Sequence, residues 1–142
     1  MHGDCVPQLT SKLFSANLDN LYRVLSFVKQ AAKEANLEEN EVWRLELAAD
    51  EVFVNIVKHG YQDKPGEVEV TCETYEAEFR IIFRDKGLHY NPLTNSSSFQ
   101  PENVRTSKSD GGFGIYFVLK MMDRVEYERV NEHNVLTLVK KK

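Results

Sequence analysis

The spacing of apolar residues separates two kinds of element. Leu18, Leu21, Leu25, Val28, Ala32 and Ala35 recur at intervals of three and four, the stripe of an amphipathic helix. Asn17 is placed to cap its start, and Asn36 and Leu37 end it. A second helix runs from near Glu38 to about His59 on Val42, Leu45, Ala49, Val52 and Ile56, with Gly60 placed as its left-handed terminator. Residues 67–74 alternate instead, with Val68, Val70 and Cys72 on one face of a strand. Residues 78–84 form a second strand, richer in apolar side chains, and the two predict a hairpin around 75–77. Residues 9–14 give a weak strand pattern, and Lys64-Pro65-Gly66-Glu67 reads as a turn.

Between 86 and 110 the periodicity fails, and asparagine, serine, proline and glycine accumulate. A loop of that length inside a small domain is commonly a binding loop or a lid. The pattern returns at about 112–122 with a helix apolar on every side, which predicts burial. Strands at about 124–130 and 135–140 close the chain around a turn at 131–134. The order β-α-α-β-β-loop-α-β-β predicts an α+β fold, a two-layer α/β sandwich. Its helices cover one face of a mixed, mainly antiparallel sheet, in one domain over residues 1–142 with a lid loop at about 88–111.

Composition narrows the classes. At 142 residues, 42% hydrophobic and 28% charged, the chain can bury one core. Its net charge of −4 argues against direct, sequence-independent nucleic-acid binding, which needs a basic surface. No apolar run approaches the roughly 20 residues of a membrane span, and the start lacks a secretory pattern. Cys5 and Cys72 make neither a disulfide framework nor a zinc motif, which suits a reducing cytoplasm. The expectation is a cytoplasmic protein with no membrane contact.

Three stretches carry candidate chemistry. On the second helix Glu51, Asn55 and Lys58 fall on one line, at 0°, ~40° and ~−20° taking about 100° per residue. The apolar stripe centres roughly 140° away on that wheel, which places the line off the core. On spacing alone it reads as a solvated face with a surface Glu–Lys pair. Asp85-Lys86-Gly87 follows an apolar strand. The stretch is an ordinary turn signal, and equally a carboxylate able to accept from an exocyclic amine, beside a glycine that admits a flat ring. Gly111-Gly112-Phe113-Gly114 opens a helix, either as a flexible hinge or as a row of backbone amides facing an anion. Neither a Walker loop nor a dinucleotide fingerprint is present.

The order of the three is more specific than any one. LAADEVFVNIVKHGY resembles the N box of the ATPase fold shared by DNA gyrase, histidine kinases and mismatch-repair ATPases, the Bergerat fold. RDKGLHYNPL resembles its adenine box, and GGFGIYFVLKMMD the glycine box that closes its lid. Within that superfamily the chain is most similar, over residues 9–140, to the bacterial anti-sigma-factor serine/threonine kinases.

The resemblance implies ATP and Mg²⁺ as cofactors and assigns roles to residues. Glu51 would be the general base for a serine or threonine hydroxyl, and Asn55 a Mg²⁺ ligand. Asp85 would read the adenine amine, with Gly87 allowing close approach. Gly112, Phe113 and Gly114 would form the phosphate-binding helix start, and Thr137 would support Asp85 through water. Lys58 and His59 would border the phosphates, with Lys108 or Arg105 as the lid cation. His89 stands where many histidine kinases have a second glycine, and no phosphoacceptor helix precedes the N box.

The implied function is a kinase that phosphorylates an anti-sigma-factor antagonist and sequesters a sigma factor, and the implied assembly is a homodimer. The exposed face of the first helix, around Arg23 and Lys29, would meet partners together with the first strand. The alternative is an ATP-binding module that traps a partner and transfers no phosphate.

Overall fold

The computed structural model describes residues 8–93 and 112–142. Its strands are β1 (Gln8–Ser15), β2 (Glu67–Thr74), β3 (Glu78–Asp85), β4 (Arg124–Val130) and β5 (His133–Lys141). Its α-helices are α1 (Leu21–Glu34), α2 (Glu39–Asn55) and α3 (Gly112–Met121). The predicted element order holds among the described residues.

The strands form one sheet in the order β1-β2-β3-β5-β4. All four neighbouring pairs are antiparallel, so the sheet has no parallel pair of the kind a mixed sheet would need. Alternation sorts its two faces. Val68, Val70, Cys72, Phe79, Ile81, Phe83, Leu136 and Leu138 are buried on one face with Leu45, Val52 and Phe53 of α2. Each fully buried phenylalanine is worth roughly 1.5–3 kcal/mol of transfer free energy. Val24 and Val28 of α1 and Ile115 and Val118 of α3 complete the core.

Three boundaries differ from the sequence reading. Asn17 does cap, its Oδ1 accepting from the Asp19 N–H at 2.8 Å, but it caps a 3₁₀ turn (Leu18–Asn20), and the α-helix begins at Leu21. Leu18 is consequently 39% exposed and outside the core. Gly60 does not terminate α2. The helix widens into a π-turn (Ile56–Gly60), and the positive φ values fall later, at Gln62 and Asp63. Finally, the last hairpin turns on Asn131 and Glu132, with φ of 50° and 65°. β5 therefore starts at His133, and Asn134 is a ladder residue opposite Asp85 rather than part of the turn.

A charged staple ties the helical layer to the last strand. Lys140 Nζ lies 3.1 Å from Glu41 at the start of α2 and 3.5 Å from Asp123 just beyond α3. The Asp123 carboxylate also accepts from the Lys141 backbone N–H at 2.7 Å, which with Lys140 holds its pKa below the usual range.

Candidate functional site

The site gathers at the carboxyl end of α2, where that helix is enclosed by the sheet on one side and α3 on another. The wheel places Glu51 and Asn55 off the core because it counts only one packing partner. α3 supplies the second. Asn55 is 6% exposed and Glu51 half-buried, so the line is not a solvated face. Among the described residues Glu51 and Lys58 form no ion pair. Lys58 is exposed and lies outside the cleft lining.

Gly114, in the first turn of α3, sits directly on Glu51. A Cβ at that position would collide with the Glu51 carboxylate as it now lies, so a side chain there would have to displace it. The N box and the glycine box are thus in contact through Glu51 and Gly114. Burial raises the Glu51 pKa, and the neighbouring Asp50 charge raises it further. Asp50 is itself raised by burial. Asn55 lines the cleft, and its Nδ2 is buried with no hydrogen-bond partner. A buried amide left unpaired costs about 1–3 kcal/mol, which a ligand would recover.

Asp85 ends β3 and is 4% exposed. Its Oδ1 accepts from the Gly87 N–H at 2.8 Å and from Asn134 Nδ2 at 3.0 Å. No described donor reaches Oδ2. Burial raises this pKa too, opposed by the two hydrogen bonds and by the charges of Arg129 and His133. Gly87 is needed for a reason other than a stacked ring. A Cβ there would come within 2.7 Å of the Gly60 backbone, and Leu88 N–H donates to the Gly60 carbonyl at 2.8 Å. The bare face of Gly87 is spent on lacing β3 to the end of α2.

Asp85, Asn55, Gly60, Ile115, Tyr90 and Tyr127 converge on one cleft of about 30 Å³. That is room for a water rather than a purine. Tyr90 stacks on the half-buried His59, ring centroids 5.1 Å apart. Thr137 is not part of this site. It pairs with Ile82 in the ladder, three residues from Asn134, on the opposite sheet face from Leu136 and Leu138. The side chain that supports Asp85 is Asn134, directly and without a bridging water. The sequence pattern, which places a turn over 131–134, hides Asn134, because the turn is only Asn131-Glu132 and Asn134 is in the ladder. The signal is Asn131, a residue that tolerates the positive φ of a two-residue hairpin turn; Glu132 gives none. Lys108 and Arg105 lie outside the described residues. Gly112 and Phe113 are the first two residues of α3.

The β-α-α-β-β-α-β-β order thus brings together a carboxylate-and-amide helix end, a buried aspartate at the end of β3 and a glycine-led helix. The chain belongs to the histidine kinase-like ATPase domain family, whose model matches residues 14–140. It is 29% identical over 103 residues to the serine-protein kinase RsbW of Bacillus subtilis (strain 168), a match covering 70% of this chain and 62% of that one. It is 30% identical over 93 residues to the RsbW of Bacillus licheniformis, covering 63% and 58%. For the RsbW of Oceanobacillus iheyensis the identity is 27% over 101 residues, covering 68% and 63%. The chain spans about three fifths of the length of these relatives. Among the described residues no helix is long and apolar enough to cross a membrane.

Proposed function

We propose that this chain is an ATP-dependent serine/threonine protein kinase that phosphorylates an anti-sigma-factor antagonist and holds a sigma factor inactive. The observation that carries this reading is the cleft that Asn55 and Asp85 line together, with Glu51 one helical turn before Asn55 on α2 and against the Gly114 turn of α3. The similarity to serine-protein kinases supports the reaction class.

In this reading the adenine amine donates to Asp85 Oδ2, the oxygen of that carboxylate that no described donor reaches. The amide row at the start of α3 receives the phosphates, with the helix dipole adding to the attraction. Glu51 takes the proton of the acceptor serine or threonine hydroxyl as its oxygen attacks the γ-phosphorus. Its raised pKa makes it a better base than a solvated glutamate.

Mg²⁺ fits through Asn55. Half a turn of its amide puts Oδ1 where the unpartnered Nδ2 now lies. One protein oxygen suffices, because the ion keeps waters and takes phosphate oxygens, and no cluster of three acidic, histidine or cysteine side chains exists among the described residues. When bound, the ion would neutralise charge on the phosphates.

Phosphorylation would add about −1.5 to −2 charges to the antagonist and change its affinity for this protein. Leu9 and Leu13, 60% and 57% exposed on the edge strand β1, support pairing with a second copy of the chain. The absence of a membrane-spanning helix among the described residues is compatible with the cytoplasmic location such regulators require.

The test is incubation of the full chain with γ-labelled ATP, Mg²⁺ and the candidate antagonist. Label on a serine or threonine of the antagonist is the expected result. Tight ATP binding with no label would instead establish the partner-trapping module.

A further inference from the structure

Asn134 has every hydrogen-bonding capacity in use. Its Nδ2 donates to Asp85 Oδ1 at 3.0 Å and to the Leu88 carbonyl at 2.8 Å. Its Oδ1 accepts from the Tyr127 hydroxyl and, more loosely, from the Tyr90 N–H at 3.4 Å. The Leu88 carbonyl can only accept and the Tyr90 N–H can only donate. These two backbone groups forbid the flipped amide, so the atom facing Asp85 must be a donor. Asn134 is 6% exposed.

We propose that Asn134 is a positioning residue that sets the base selectivity of the cleft by locking the rotation of the Asp85 carboxylate. The proposal rests on the reading of Asp85 as the adenine contact. With Asn134 and the Gly87 N–H both on Oδ1, Oδ2 is left as the sole open acceptor. A base carrying an exocyclic amine satisfies it, a base lacking that amine leaves a buried carboxylate oxygen unpaired, and a base with a carbonyl there places oxygen against oxygen. The other charged or titratable groups near Asp85 do not fix its rotation. The Arg129 guanidinium on β4 spends its described hydrogen bond on the Gly87 carbonyl at 3.0 Å. The Tyr61 hydroxyl donates to the Glu67 carbonyl and accepts from the Lys86 N–H. The ring of His133 bonds the Asn131 carbonyl. Remove the Asn134 amide and a single tether, the Gly87 N–H, remains.

The distinguishing readout is a ratio, because a merely structural role would weaken all nucleotides together. In competition binding to the full chain with Mg²⁺ present, the probes are ATP and purine riboside triphosphate, which lacks the 6-amino group. Wild type should prefer ATP by roughly tenfold or more, the scale of a hydrogen bond to a charged group. Asn134→Leu should reduce that preference to within roughly threefold, and Asn134→Thr, which restores one donor, should recover most of it. Should the leucine variant not fold, Asn134→Ala removes the same donors without adding bulk. An unchanged ratio in the leucine or alanine variant, with ATP and its analogue weakened equally, overturns the proposal. A wild type that binds both nucleotides equally overturns the Asp85 reading beneath it, and the two failures are thereby told apart.

Discussion

The two ends of the site are built on opposite principles. At the Asp85 end the groups are tied: Asp85, Gly87, Asn134, Leu88 and Gly60 form a closed web of hydrogen bonds, with one carboxylate oxygen held open. At the Glu51 end the polar atoms are loosely partnered. Asn55 Nδ2 is unpaired, and the Glu51 carboxylate lies beside Asp50, against the first turn of α3. A tied end suits recognition, since donors and acceptors must not rearrange if they are to discriminate between bases. An untied end suits chemistry, since a metal, a proton and a phosphate must come and go. On the proposed reading, selectivity and turnover should therefore respond to different mutations.

The largest separation is expected from Glu51→Gln. Phosphate transfer should fall by roughly 10²–10⁴-fold, the usual share of a general base, with ATP affinity nearly unchanged. Single-turnover labelling beside a binding titration checks it, and surviving transfer would take Glu51 out of the role of base.

Asp85→Asn should act at the other end. It keeps an oxygen for Gly87 and Asn134 but turns an amine towards the base, so ATP affinity should fall on the order of tenfold to a hundredfold. It should also stabilise the nucleotide-free protein. Burial raises the Asp85 pKa above its usual 3.8, so the folded state holds this proton to higher pH than the unfolded chain does. Stability then falls as pH rises through that window, and the full penalty is present above it. Thermal melts should show the variant ahead of wild type at pH 7, with the gap closing below about pH 4. Asp123 has the opposite sign: its lowered pKa contributes stability above 3.8 that is lost as pH falls.

Smaller effects sharpen the contrast. Gly87→Ala places a methyl against the Gly60 backbone, which cannot yield as a side chain can, and should cost about 1–3 kcal/mol in denaturant unfolding. Gly114→Ala meets a side chain, the Glu51 carboxylate, and should lower transfer more than it lowers the melting temperature. Thr137→Val, on the far sheet face, should leave ATP affinity unchanged and stability within about 0.5 kcal/mol. A clear loss of affinity there would return Thr137 to the site.

The sequence exposed what periodicity encodes. Val68, Val70 and Cys72 alternate and Val42, Leu45, Ala49, Val52 recur because each element buries one face against the same core. The three boxes were readable because Glu51–Asn55, Asp85–Gly87 and Gly112–Gly114 are local in sequence. What escaped was non-local. The burial of Asn55 depends on α3, more than 50 residues downstream. The constraint on Gly87 is the backbone of Gly60. Asn134 meets Asp85 only through the β3–β5 register, and a turn drawn two residues too long concealed it. Thr137 lies on the right strand but, three residues from Asn134, on the opposite face, a parity that strand periodicity alone does not reveal without the register.

The most direct measurement is a calorimetric titration of Mg-ATP into the full-length wild type and into Asp85→Asn. The account predicts saturable binding to the wild type and binding at least roughly tenfold weaker to the variant. Equal affinity for both, or no binding to the wild type, would contradict it.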